Sequence, residues 1–141
     1  MHNVIIKKPC TKGYEEYDSV MLQAHMDMVC EATQGTDFDF LVQPISTYVD
    51  GEGNLRAYST TLGADDGMGV AEMLAILEDS TLQHPELECA VFTQVKGGMD
   101  IITCGPVAGN FHTPQEYLNL ASWDRTYRLL VTILSKVSKQ A

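Results

Sequence analysis

The sequence predicts an α/β fold, a mixed β-sheet with helices packed on it. Three observations carry that expectation. Short β-rich runs recur between turn signals, about five or six of them by pattern. A helical segment from about Gly67 to Asp79 is apolar around most of its circumference, as in a helix buried between layers. A second helix, from about Trp123 to Val137, has a single apolar stripe.

Each element has a local cause. "VIIKK", Val4–Lys8, is a β-rich run closed by Pro9. "CTKGYEEYD" is a loop with turn chemistry at Gly13. Ser19–Val29 reads as a strand. Gln23, His25 and Asp27 alternate onto one face, and Leu22, Ala24, Met26 and Met28 onto the other. Glu31–Gln43, mixing Gly, Thr and Asp with two phenylalanines, reads as loop. Residues 45–59, "ISTYVDGEGNLRAYS", form a hairpin around the turn Asp50-Gly51-Glu52-Gly53-Asn54.

In the first helix, Met68, Val70, Ala71, Met73, Leu74, Ile76 and Leu77 are the apolar positions expected to be buried. Pro85 keeps "LQHPELE" from continuing that helix. Leu87–Gln94 and Ile101–Cys104 read as strands joined by the turn "VKGGMD". Gly and Pro make "GPVAGNFHTPQE" a loop. Ser122 is the expected N-cap of the last helix. Trp123, Tyr127, Leu130, Leu134 and Val137 share its apolar stripe, and Arg125, Arg128 and Lys136 face outward.

Composition narrows the classes of function. The chain has 141 residues, a length that fits one domain, and 45% are apolar, enough for a core. Nineteen acids against nine bases give a net charge of −10, which argues against nucleic acid because phosphates would be repelled. An acidic surface is compatible with binding cations. No apolar run approaches the roughly 18 residues of a membrane helix. "MHNVIIKKPC" lacks the pattern of a signal peptide, and a cytoplasmic location is expected. Cys10, Cys30, Cys89 and Cys104 contain no C-x-x-C spacing, as expected of free thiols in a reducing compartment.

Three short stretches could carry chemistry. In "VMLQAHMDMVCE", His25 and Asp27 lie two residues apart and read either as polar decoration at a strand end or as part of a metal site. "LGADDG", residues 62–67, brackets Asp65 and Asp66 with glycines at a helix start, where an acid is also an ordinary N-cap or loop residue. "FHTPQE" places His112 in a proline-stiffened loop. His84 and His2 read as solvated.

Together, "VMLQAHMDMVCE", "TTLGADDGMGVAEMLAILED" and "GPVAGNFHTPQEYLNLASWDRTYRLLVTIL" resemble blocks of the aminoacyl-histidine dipeptidases (Xaa-His dipeptidases, peptidase D), within the two-zinc metallopeptidases. "NVIIKKP" and "HPELECAVFT" match connecting strands of that family. The resemblance implies a cut-down zinc-peptidase catalytic domain. His25 would ligate one metal, Asp27 would stand behind it as a catalytic-site residue orienting the imidazole, Asp65 would bridge two metals, and His112 would ligate the second. The Asp65–Asp66 peptide would be cis. Two zinc ions, or manganese or cobalt, would activate a water against a small Xaa-His dipeptide.

The sequence also departs from that family. Where the family runs into an Asp-Glu-Glu cluster holding the general base and a metal ligand, this chain reads Gln94, Val95 and Lys96. The chain then passes to the family's C-terminal block near Gly97–Met99, without the acidic cluster or the lid domain; the family's N-terminal helices are absent as well. The expectation is a single catalytic-domain fragment, 1–141, joining a family part of about 1–95 to one of about 97–141. No general base is found, so weak or absent turnover is expected. The alternatives are a catalytically dead remnant that binds metal weakly, and an interaction protein that pairs with a full-length relative through an uncovered sheet face; that face is also expected to favour self-association.

Overall fold

The structure, a computed structural model, describes residues 3–91 and 104–137. Several sequence expectations lie outside the described residues: the end of the strand at Gln94, the turn "VKGGMD", the strand Ile101–Cys104 except Cys104 itself, the Gln94–Val95–Lys96 replacement, and His2. The elements are β1 (Val4–Lys8), β2 (Val20–Ala24), β3 (Thr47–Val49), β4 (Asn54–Ala57), α1 (Ala64–Glu78), β5 (Leu87–Val91), β6 (Ala108–Gly109), β7 (Tyr117–Asn119) and α2 (Leu120–Lys136). The α/β class holds, and the strands among the described residues lie in two sheets. The chain forms two compact units: Met1–Met26, Gly69–Thr103 and Tyr127–Ala141 make the first, and Asp27–Met68 with Cys104–Thr126 the second.

In the first unit, β5 is the centre of a three-stranded mixed sheet, order β1-β5-β2. β1 runs antiparallel to β5, with Ile6 opposite Cys89, and β2 runs parallel to it, with Leu22 opposite Cys89. Alternation puts Val20, Leu22 and Ala24 of β2 on the same face as Leu87, Cys89 and Val91 of β5. That face packs against Met73, Ile76 and Leu77 of α1 and Tyr127, Leu130, Val131 and Leu134 of α2. Burying side chains such as Ile76, Leu87 and Leu134 contributes roughly 1.5–3 kcal/mol each. The Lys8 ammonium donates to the Ile76 and Asp79 carbonyls at 3.1 and 3.0 Å, satisfying acceptors that the end of α1 leaves open. On the opposite face, Ile5 and Met21 are exposed, and Lys7 pairs with Glu88 at 3.3 Å.

Several local expectations need correction in this unit. β2 ends at Ala24, so the alternation read through Val29 does not continue, and Met26 is exposed. Leu74 is 48% exposed, because α1 buries one side against the sheet rather than lying between two layers. His84 is fully buried rather than solvated. Its backbone exchanges bonds with Thr11, and its Nδ1 lies 2.7 Å from the Pro85 carbonyl oxygen.

The second unit is built on a four-stranded antiparallel sheet, order β3-β4-β7-β6. The β3–β4 hairpin forms where its turn chemistry predicts. Asp50 Oδ1 accepts the N–H groups of Glu52 and Asn54, both at 2.9 Å, and Asp50 Oδ2 accepts the Arg56 Nε–H at 2.6 Å. The Arg56 guanidinium, and then the Asn54 N–H, hold the Asp50 carboxyl well below the usual carboxylate range. β6 and β7 are short strands, β6 lying inside a stretch that reads as loop. α2 begins before Trp123. Asn119, not Ser122, is its N-cap: Asn119 Oδ1 accepts the Ser122 N–H at 3.0 Å. The Ser122 hydroxyl is engaged elsewhere, donating to the Asn119 carbonyl and accepting the Val107 N–H, both at 2.8 Å.

Among the described residues, no helix is long and apolar enough to cross a membrane.

Truncating Leu134 to alanine leaves a cavity in the first unit; urea denaturation is expected to show a loss of about 2–5 kcal/mol. Asp50 offers a pH-dependent test. Its folded pKa is depressed, so its stabilisation is fully present above the unfolded value of about 4 and fades as pH falls below it. Thermal melts are therefore expected to show Asp50→Asn below wild type at pH 7, with the gap narrowing toward pH 3.

Candidate functional site

The second unit brings two of the sequence-predicted residues together. Asp65 lies in the turn that precedes the regular part of α1. Asp65 and Asp66 have non-helical backbone angles, and regular turns begin at Gly67, whose N–H donates to the Gly63 carbonyl at 3.0 Å. The Asp65–Asp66 peptide is cis. His112 lies in the loop between β6 and β7. His112 Nε2 and Asp65 Oδ2 are 3.5 Å apart.

The loop that carries His112 is shaped by its own bonds. Asn110 and His112 both take left-handed φ, +52° and +64°. The Thr113 hydroxyl donates to the Asn110 carbonyl at 2.8 Å and accepts the Gln115 N–H at 3.2 Å. The Glu116 N–H donates to the Thr113 carbonyl at 3.1 Å. Arg56 reaches over from β4: its Nη1 donates to the Gln115 carbonyl at 3.1 Å, and its guanidinium lies 5.1 Å from the centre of the Tyr117 ring. The sheet thus anchors the loop on its C-terminal side.

Glu116 joins the two segments. It is 3% exposed, and its carboxylate accepts four backbone N–H groups. Leu62 and Gly63 donate to Oε2 at 2.8 and 2.9 Å; Ala64 and Asp65 donate to Oε1 at 2.9 and 3.4 Å. Successive N–H groups before a helix make an anion cradle, and here the anion is a side chain of the same chain. A second clamp secures the cradle from upstream. Thr61 N–H donates to the Glu31 carbonyl, and the Thr61 hydroxyl to the Val29 carbonyl, both at 2.8 Å. Gly63 has φ +76°, and a Cβ built there would lie 2.9 Å from Met28 Sδ.

The other two predicted residues are placed differently from the strand reading. His25 is half-buried, just beyond β2 in the first unit, and exposed Asp27 is the first residue of the second. Neither belongs to a strand.

Whether these donors suit a metal is a question of number and spacing. A tetrahedral zinc with bonds of about 2.0–2.1 Å separates neighbouring ligand atoms by about 3.3–3.4 Å. The Asp65–His112 separation of 3.5 Å matches one such edge, and imidazole with carboxylate is a donor set zinc accepts. Zinc sites take three or four protein ligands, however. Among the described residues, no group of three or more His, Cys, Asp or Glu side chains is arranged to hold a metal ion. The pair is one edge of a site, not a complete one.

No family model matches the chain. It is 45% identical over 98 residues to the cytosol non-specific dipeptidase of Escherichia coli (strain K12), a match covering 70% of this chain and 20% of that protein. Its structure is similar to the crystal structure of aminoacylhistidine dipeptidase from Vibrio alginolyticus, with a TM-score of 0.62 and 45% identity over 69% of this chain and 20% of that one. The chain is related to these dipeptidases. It spans about a fifth of the length of the relatives it matches, 20% in both cases. The structure of aminopeptidase PepT from Bacillus cereus is also similar, at 26% identity and a TM-score of 0.47 over 63% of this chain and 21% of that one. The relationship to the dipeptidases agrees with the sequence resemblance and with the α/β class.

Motif reading singled out Asp65 and His112, which lie 3.5 Å apart, and passed over Glu116. The signal that could have found it is an accounting one. A helix start leaves N–H groups that need acceptors. An acid four residues after His112, in a turn leading into a β-rich run, was a candidate acceptor.

Replacing Gly63 with alanine puts a side chain at a left-handed position against Met28. Chemical denaturation is expected to show a destabilisation of at least about 1 kcal/mol.

Proposed function

We propose that this chain is a metal-binding segment of the dipeptidase type, with small Xaa-His dipeptides as its substrate class. In this reading His25, Asp65 and His112 are metal ligands, and Asp27 orients the His25 imidazole. The chain then acts as one catalytic-domain fragment, joining residues 1–95 to 97–141, and its place is the cytoplasm, as the name of the Escherichia coli relative suggests for that protein.

The single observation that supports this is the Asp65–His112 edge, set at 3.5 Å on two loops that the Glu116 carboxylate joins. Divalent cations, zinc first and manganese or cobalt as substitutes, would supply an activated water and a polarised carbonyl. The chain's own contribution is to hold donors: Asp65 Oδ2 and His112 Nε2 lie 3.5 Å apart. A ligating imidazole binds through its neutral form. Turnover by this chain is weak or absent, because its sequence places Gln94, Val95 and Lys96 where the resemblance calls for the base and a further acidic ligand.

Calorimetric titration with zinc tests the reading. Wild type is expected to bind weakly, and His112→Ala and Asp65→Asn each to lower the affinity by at least about tenfold. Release of histidine from an Xaa-His dipeptide is expected to stay near a metal-only blank. Titrations that coincide for wild type and both variants would remove the metal site.

A further inference from the structure

Resting on the metal-site reading just given, we propose that Glu116 is a positioning residue: its carboxylate sets the separation of the Asp65 and His112 donor atoms without touching a metal or substrate. Three observations carry this. Each carboxylate oxygen takes two backbone N–H groups, and the last of the four belongs to Asp65 itself. The Glu116 main chain closes the turn onto Thr113, the residue after His112. The next residue, Tyr117, is locked in the sheet opposite Arg56. Glu116 is therefore the rigid link between a loop that carries one donor and a loop that carries the other.

The charge matters as well as the shape. Four N–H donors converge on one carboxylate, and an ionised carboxylate is acceptor-only. A glutamine of the same length keeps one acceptor oxygen and turns two N–H donors toward the backbone N–H groups of the cradle. One half of the cradle is then opposed by like dipoles, and the turn before α1 opens. An aspartate keeps the charge but is one methylene shorter, so it reaches one pair of N–H groups and not both.

The test compares wild type, Glu116→Gln and Glu116→Asp. Zinc affinity is read by calorimetry and backbone order by amide hydrogen exchange. In wild type, the amides of Leu62, Gly63, Ala64 and Asp65 are expected to be protected together, as donors to one buried group. Glu116→Gln is expected to lose that protection and to bind zinc about tenfold more weakly, at a temperature where amides of the first unit are unchanged. Glu116→Asp is expected to recover part of both. Unprotected amides at 62–65 in wild type would overturn the proposal, whether or not the variants fold. So would a Glu116→Gln protein that loses protection yet keeps wild-type zinc affinity. Wild type that binds no zinc would sink the metal reading instead. The role of Glu116 would then be decided by nuclear Overhauser effects between the His112 ring and the Asp65 side chain. Their disappearance in Glu116→Gln supports it, and their persistence at wild-type strength overturns it.

Discussion

The second unit depends on a buried carboxylate that accepts, among the described residues, four main-chain N–H groups. Glu116 is closed off from solvent, and an isolated charge there would be costly to desolvate. The N–H groups of residues 62–65 carry the complementary problem, since buried backbone donors without acceptors cost free energy of similar order. Each group solves the other's problem through charge-assisted hydrogen bonds, the strong kind. The bonds span more than fifty positions of sequence, so they form only when the unit folds as a whole.

A chain of constraint runs outward from that point. Glu116 leads into β7, which pairs with β4. β4 begins at Asn54, whose amide side chain meets Asp50 and whose Oδ1 accepts from Asn119 at 2.9 Å. Asn119 in turn caps α2. The turn at Asp50, the start of α2 and the loop carrying Asp65 are thereby parts of one polar network. Such networks specify one arrangement, because every partner left alone is penalised. The apolar face of the first unit is different in kind. Its core of Ile76, Leu82, Leu87 and Leu134 is driven by burial, which is non-directional.

For function, the geometry supplies two donors at a ligand-like spacing and stops short of a full metal shell among the described residues. Family relationship and local geometry thus point the same way with different reach. The relationship covers about 70% of this chain and 20% of its relative, whereas the donor pair is a statement about two side chains. The relationship does not by itself assign a role to either side chain.

What the sequence by itself determined is whatever local rules decide. The run Val4–Lys8, the hairpin at Asp50–Gly53, the regular start of α1 at Gly67 and the stripe Tyr127–Leu130–Leu134 follow from β-branching, turn chemistry and period, and all were legible. Motif context singled out Asp65 and His112, and the structure sets them 3.5 Å apart. Only the tertiary structure decided where β2 ends, that Ala108–Gly109 pairs as a strand, that Asn119 and not Ser122 caps α2, that Leu74 faces out, and that Glu116 holds the loop of Asp65. The reason is common to all five. Strand ends, caps, exposed faces and buried charges are set by which partner arrives from elsewhere in the chain, and that choice carries no signature in a short stretch of sequence.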